Sequence, residues 1–341
     1  MSTGDGTFPS PTAARARADE ADGGDEGAVP LSAEPMPVEG RRWSRRRILA
    51  CGIGGLVGTM VAGFELVEHG VLPGKHTLDD LDGACSVSSP AETFAPAGPS
   101  RSGHFLSAAR NRVVGYTIAY PPEHEPGSAL PLVVSLHGFG GDHSSGFGGL
   151  TLSQALAGRA HGMAIAPMAL VSVDGGGLYW NPHTGDDPMA MIVSELIPMC
   201  QRLGLGRPPH GIGVTGISMG GYGALLLAEQ HSHLITAVAS ISPAVWTTYA
   251  QARAANPGAF ASAADFATDD VIAHASALTG IPVRIASGTD DPFHPGVVAL
   301  AKALPRTAIV DIGPGCHDGS FFGSQRRASL DFLGAHLVGT R

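Results

Sequence analysis

The 341-residue chain has a formal net charge of -9, and only two of its 21 basic residues are Lys. No basic stripe interleaved with aromatics appears beyond residue 101, which removes nucleic acid from the expected partners. The length suits one large α/β domain with appendages. The Cys usage excludes a disulfide scaffold: Cys51 lies in an apolar stretch, and Cys85, Cys200 and Cys316 permit at most one intramolecular bridge.

Acidic residues crowd the first 40 positions, where Asp5, Asp19, Glu20, Asp22, Asp25, Glu26, Glu34 and Glu39 face only Arg15 and Arg17. With few large apolar side chains among them, residues 1–40 read as a disordered tail. Arg41-Arg42-Trp43-Ser44-Arg45-Arg46-Arg47-Ile48-Leu49 follows, and no charge then appears until Glu65. Arginines before an apolar stretch of this kind resemble a twin-arginine export signal. The 17 residues from Ile48 to Phe64 would span about 25 Å as a helix, against about 30 Å of hydrocarbon. Residues 41–69 are therefore expected to be either a cleaved signal or a retained anchor in contact with the membrane. Because the arginines precede the apolar run, the remainder is expected outside the cytoplasm. Cys51 stands before that run rather than after it, which argues against lipidation.

Residues 70–100, with their Pro, Ser and Gly, read as a linker, and 101–341 as the folded domain. Apolar runs predict strands at Val113–Tyr120, Leu132–Leu136, Met163–Pro167, Gly211–Thr215, Ala237–Ile241, Val283–Ser287 and Ala308–Ile312. Helical patterns fall at Leu152–Ala160, Met189–Leu203, Tyr222–His231, Ala259–Ser276, Val297–Leu304 and Gln325–His336. Short buried strands alternating with helices predict an α/β fold with a mostly parallel sheet covered on both faces. Ligands then belong at the carboxyl ends of the strands.

Chemistry-bearing residues do fall just past strand ends. Leu136-His137-Gly138-Phe139-Gly140-Gly141 closes an early strand, and its glycines let backbone approach a ligand closely. Gly216-Ile217-Ser218-Met219-Gly220 is a G-x-S-x-G elbow between an apolar strand and an apolar helix, which presents Ser218 as a nucleophile. Serine needs a base and an orienting acid. Gly288-Thr289-Asp290-Asp291-Pro292 supplies Asp291 as the preferred acid, with Asp290 as the alternative. Gly315-Cys316-His317-Asp318-Gly319 supplies His317 as the base, better placed than His294 or His336. The amides of Met219 and Phe139 are the expected oxyanion donors. His137, Tyr179 and Trp180 are candidate substrate contacts, although an aromatic in the loop Asp174 to Asn181 serves packing as readily. His143, His161 and His183 lack metal-ligand spacing, and no nucleotide-binding glycine motif opens a helix, so no metal or cofactor is expected.

Leu136-His137-Gly138, the stretch from Gly216 to Ala224, Gly288-Thr289-Asp290-Asp291-Pro292-Phe293 and Cys316-His317 together resemble the esterase D family of α/β-hydrolases. This family includes S-formylglutathione hydrolases, feruloyl esterases and secreted mycolyltransferases. The resemblance spans roughly residues 105–338 and implies an α/β-hydrolase fold, a serine triad, and Phe139 and Met219 amides around the oxyanion. Mycolyltransferases carry Glu as the acid and fewer glycines after the Met, so Asp291 and Gly220-Gly221 lean toward a hydrolase. The export segment sets the chain apart from cytoplasmic S-formylglutathione hydrolases. The expectation is an exported serine carboxylesterase acting on a small-molecule or lipid ester. The alternatives are an acyltransferase with a sugar or lipid hydroxyl as acceptor, and a non-catalytic cell-surface binding module.

Overall fold

The computed structural model describes residues 85, 87–89 and 91–337. The acidic tail and the arginine-led apolar stretch lie outside these residues. Among the described residues no helix is long and apolar enough to cross a membrane.

An eight-stranded sheet organises the body. Its strands are β2 (Ser100–Ser107), β3 (Arg112–Ala119), β4 (Leu132–Leu136), β7 (Ala169–Val173), β8 (Ile212–Ile217), β9 (Ala237–Ile241), β10 (Val283–Gly288) and β11 (Ile309–Gly313). They lie in the order β11-β10-β9-β8-β4-β7-β3-β2. The pairings from β7 through β4 and β8 to β11 are parallel, whereas β3 runs antiparallel to β7 and β2 to β3. A smaller antiparallel sheet joins β1 (Thr93–Phe94), β5 (Gly158–Ala160) and β6 (Met163–Ala164).

Burial on both faces explains why the central strands are apolar without strong alternation. Leu132, Val134, Val171 and Val214 face one core, shared with Leu225 and Leu226 of α3 (Met219–Gln230). Val133, Leu170, Ala237 and Ala239 face the other, shared with Leu330, Leu333 and Leu337 of α7 (Gly319–Leu337). Before α3 in the chain come α1 (Leu152–Leu156) and α2 (Pro188–Met191, continued through Ile192–Leu196 and Ile197–Arg202), and between α3 and α7 come α4 (Tyr249–Ala255), α5 (Ala263–Thr268) and α6 (His294–Ala303).

The elements depart from the sequence reading in several places, among them the helix expected at Leu152–Ala160, which ends at Leu156 and gives way to strand β5. Of the strand expected at Met163–Pro167 only the two-residue β6, Met163–Ala164, forms, in the small sheet, and the central sheet instead takes β7 at Ala169–Val173. Pro167 lacks the N–H that a central ladder requires, so the sheet takes up the wholly buried run beyond it. The long helix expected at Ala259–Ser276 is the six-residue α5, capped by Ser262, followed by a 3-10 turn at Ala275–Leu278. The folded body also includes residues assigned to the linker. Cys85 is disulfide-bonded to Cys316, Glu92 is ion-paired with Arg326 and Arg327, and Thr93–Phe94 pairs with Gly158–Arg159. β2 follows as an edge strand, mostly exposed and therefore without the apolar alternation that marks a strand.

Candidate active site

Ser218 sits between β8 and α3 with φ 57 and ψ -119, a left-handed conformation that a residue with a side chain adopts only under constraint. Its N–H donates to Ile241 O at 3.0 Å, and its carbonyl accepts from Tyr222 N and Ala244 N, each at 3.0 Å. These bonds hold the turn against its strain. The flanking glycines are dictated by contact. A Cβ on Gly216 would lie 2.1 Å from Gly220 O, and one on Gly220 would lie 1.9 Å from Leu136 O. The turn also directs the N-terminus of the 12-residue α3, with its partial positive charge, toward the hydroxyl.

His317 Nε2 lies 2.8 Å from Ser218 Oγ, and His317 Nδ1 lies 2.8 Å from Asp291 Oδ2. An ionised carboxylate only accepts, so Nδ1–H donates to Asp291 and Nε2 accepts from the Ser218 hydroxyl. The other Asp291 oxygen accepts the Phe293 N–H at 2.8 Å, and the Asp291 side chain is fully buried. Asp290 instead receives the Thr289 hydroxyl. His294 begins α6 and His336 bonds Phe332 O, so neither takes the place of His317. The aromatic rings of Phe293 and Phe322 lie 5.0 and 5.1 Å from the His317 ring. The sequence assigned neither phenylalanine a role, because only folding brings residues 293 and 322 against one imidazole.

The loop after β4 passes directly beside the nucleophile: a Cβ on Gly138 would be 3.6 Å from Ser218 Cβ. Phe139 follows, 68% exposed, with its ring against Gly177. Met219, the first residue of α3, is buried.

Of the three candidate substrate contacts, Tyr179 and Trp180 are buried in packing roles, whereas His137 lines the cavity beside Ser218 and also has a structural role. His137 is buried, its Nδ1 is 2.8 Å from Gly138 O, and its Nε2 accepts the Gly175 N–H at 2.9 Å. The acceptor role at Nε2 puts the proton on Nδ1. Burial holds the pKa of this imidazole below its ordinary value, partly opposed by the bond to Gly138. Both nitrogens are occupied by backbone, so His137 ties the β4 loop to the 174–181 loop. Trp180 is 0% exposed and lies so close to Gly175 and Gly223 that a Cβ on either would be within 2.6 Å of its ring. Tyr179, with φ 60, is buried between Trp246 and Tyr222, and burial pushes its hydroxyl up to about 12. These aromatics form the floor under the site rather than its lining, because the positive φ at residues 179 and 180 turns both rings inward.

A cavity of about 220 Å³ opens beside the nucleophile, between the β4 loop and the start of α7. Ser135, Gly138, Phe139, Gly148, Ile217 and Phe322 are among its walls. Among the described residues, the cluster of metal-capable side chains formed by Cys85, Cys316 and Asp318 has both sulfurs consumed by the disulfide.

The parallel sheet, the elbow at the end of β8 and the histidine loop after β11 define an α/β-hydrolase. The family model described as "Esterase: Putative esterase" matches residues 107–310, and the chain belongs to that family of serine esterases. No curated protein is significantly similar in sequence. Among solved structures, the chain is similar to a ferulic acid esterase, with 17% identity, a TM-score of 0.60, and coverage of 72% of this chain and 100% of that one. An S-formylglutathione hydrolase from Agrobacterium tumefaciens is 16% identical over 72% of this chain and 98% of its own, at a TM-score of 0.57. A fluorophosphonate-binding serine hydrolase from Staphylococcus aureus is 15% identical over 70% and 99%, at 0.55.

Proposed function

We propose that the chain is an exported carboxylesterase that works through Ser218, His317 and Asp291. The observation that carries this reading is the unbroken hydrogen-bonded line from Asp291 through His317 to a strained, partly exposed Ser218. Ser218 Oγ attacks the ester carbonyl while His317 Nε2 takes its proton. Charge on the carbonyl oxygen is met by the amides of Met219 and Phe139. His317 then returns the proton to the departing alkoxide, leaving an acyl group on Ser218. A water, deprotonated by the same nitrogen, releases the acid. Asp291 stabilises the imidazolium in both halves. No metal or cofactor has a part in these steps.

The esterase reading is tested with a fluorophosphonate probe and a short p-nitrophenyl ester. Labelling and turnover are expected, both lost in Ser218→Ala, and Asp291→Asn should lower kcat by on the order of 10³–10⁴. Absence of labelling in the intact protein would favour the binding module. Transfer of a labelled acyl group to added glycerol or trehalose in preference to water would instead favour the acyltransferase. Export rests on the arginine run before the apolar segment at 48–64, with residues 41–69 as signal or anchor. Cell fractionation tests it, and a protein found only in the cytoplasm would refute it.

A further inference from the structure

The cavity beside Ser218 has a polar floor where the fold calls for apolar side chains. Ser135, Ser172 and Thr215 are register partners on the adjacent parallel strands β4, β7 and β8. They share the face of Val133 and Leu170, the side of the sheet that α7 covers. The polar row extends outward through Thr117, opposite Ser172, and Ser102, opposite Thr117. There the hydroxyls are satisfied: Ser102 Oγ and Thr117 Oγ1 are 2.8 Å apart, and His143 Nδ1 lies 2.8 Å from Thr117. Inward they are not. Ser172 Oγ and Thr215 Oγ1 are buried without a hydrogen-bond partner. Ser135, between them and 7% exposed, is the member of the row that lines the cavity. A buried hydroxyl without a partner costs about 1–3 kcal/mol, so one on each side of Ser135, the member of the row that reaches the cavity, marks a place where a polar group is received.

The walls restrict what that group is. No Lys, Arg, Asp or Glu lines the cavity, and both nitrogens of the one lining imidazole, His137, are taken up by Gly138 O and the Gly175 N–H, so a charged group would lose its hydration without compensation. Leu136, Ile217 and Phe322 supply apolar sides. A volume of about 220 Å³ falls below the roughly 300–1,000 Å³ of sites for drug-sized ligands. Backbone closes the far side, because Gly148 lies against Gly323, where a Cβ would come within 2.5 Å of Gly323 Cα. Ser135 pairs with Thr215, three residues before Ser218 on the same chain path, which puts it about 10 Å below the nucleophile. Once a hydrogen bond of about 3 Å is subtracted, the remaining reach corresponds to a chain of about five carbons.

We infer that this cavity binds one arm of the ester, a short uncharged chain bearing a hydroxyl near its far end, and that Ser135 determines that specificity by hydrogen-bonding the hydroxyl. The inference rests on the esterase reading above. Both arms of the ester are tested: methyl 6-hydroxyhexanoate against methyl hexanoate for the acyl side, and 6-hydroxyhexyl acetate against hexyl acetate for the alcohol side. In one of the two pairs the hydroxylated ester should have the higher kcat/KM. Ser135→Val should shift that ratio roughly tenfold toward the plain ester, as expected for about 1.4 kcal/mol from one buried hydrogen bond. Ser135→Ala provides the same readout if the larger side chain impairs folding. Turnover with no hydroxyl preference in either pair, or a preference that both variants leave unchanged, overturns the inference alone and assigns the floor to ordered water only. No turnover of any ester together with no fluorophosphonate labelling overturns the esterase reading, and this inference with it.

Discussion

At residue scale, the elbow shows how little freedom the site allows. Gly220 lies so near Leu136 O that any side chain must push the β4 loop or α3 out of place. Gly220→Ala should therefore cost about 3 kcal/mol or more and remove esterase activity, as measured by thermal melting and p-nitrophenyl ester turnover. A tolerated Gly220→Ala would show that the turn is looser than these contacts imply. A second residue tests the interior. Glu229 on α3 is buried with Oε1 unpartnered, and burial, reinforced by nearby Asp270, pushes its pKa up to about 9. The folded chain thus keeps a proton that the unfolded chain releases near 4.5. Unfolding then becomes more favourable as pH rises through that interval, so stability declines from pH 4.5 toward 9 and levels above it. Glu229→Gln should flatten this decline and add about 2 kcal/mol at pH 8, as read by denaturant unfolding at several pH values. An unchanged profile would mean that the carboxyl is ionised and solvated in the folded protein.

At the scale of elements, the His317 loop after β11 is tied down by a strap from the far end of the described chain. Cys316, adjacent to His317, is bonded to Cys85 across 231 positions of sequence. A few residues on, Glu92 meets Arg326 and Arg327 of α7, both buried, and Arg326 also stacks over Phe94. Burial, reinforced by the neighbouring Arg327 charge and opposed by Asp331, lowers the Arg326 pKa, so its charge is maintained at a cost that the ion pair with Glu92 helps to offset. Cys85→Ser should lower stability by about 2–4 kcal/mol and reduce kcat more than KM, because the base loses its anchor while the pocket stays intact. Glu92→Gln should cost about 3 kcal/mol by leaving buried guanidinium charge unpaired. Denaturant unfolding of both variants checks these values, and a Cys85→Ser protein with wild-type kcat would remove any role for the strap in holding His317.

At the scale of the whole molecule, the sheet explains why the reactive groups meet. β8, β10 and β11 are parallel, so the turns after them all emerge on one edge, carrying Ser218, Asp291 and His317 from positions up to 99 residues apart. That convergence was legible in the sequence because each residue follows an apolar run and sits among glycines. The sequence ranked Asp291 ahead of Asp290 without excluding the latter, since adjacent residues in one loop differ only in the direction the backbone gives them. Tyr179 and Trp180 could not be placed either: a positive φ at both positions leaves no trace in composition. The cavity wall and the hydroxyl row were equally invisible, because Ser135, Ser172 and Thr215 are adjacent only through strand pairing.

Local physics was enough for the chain by itself to determine the fold class, the elbow and the residues proposed to react. Apolar runs must be buried, a tight strand-to-helix turn requires glycine, and the chemistry requires a hydroxyl, an imidazole and a carboxylate. Tertiary packing alone decided which carboxylate reaches His317, which aromatics form a floor rather than a pocket, and how residues 85–94 reach across to clamp the histidine loop. Each of those outcomes depends on distances between segments remote in sequence, and such distances exist only once the two cores have closed on the sheet.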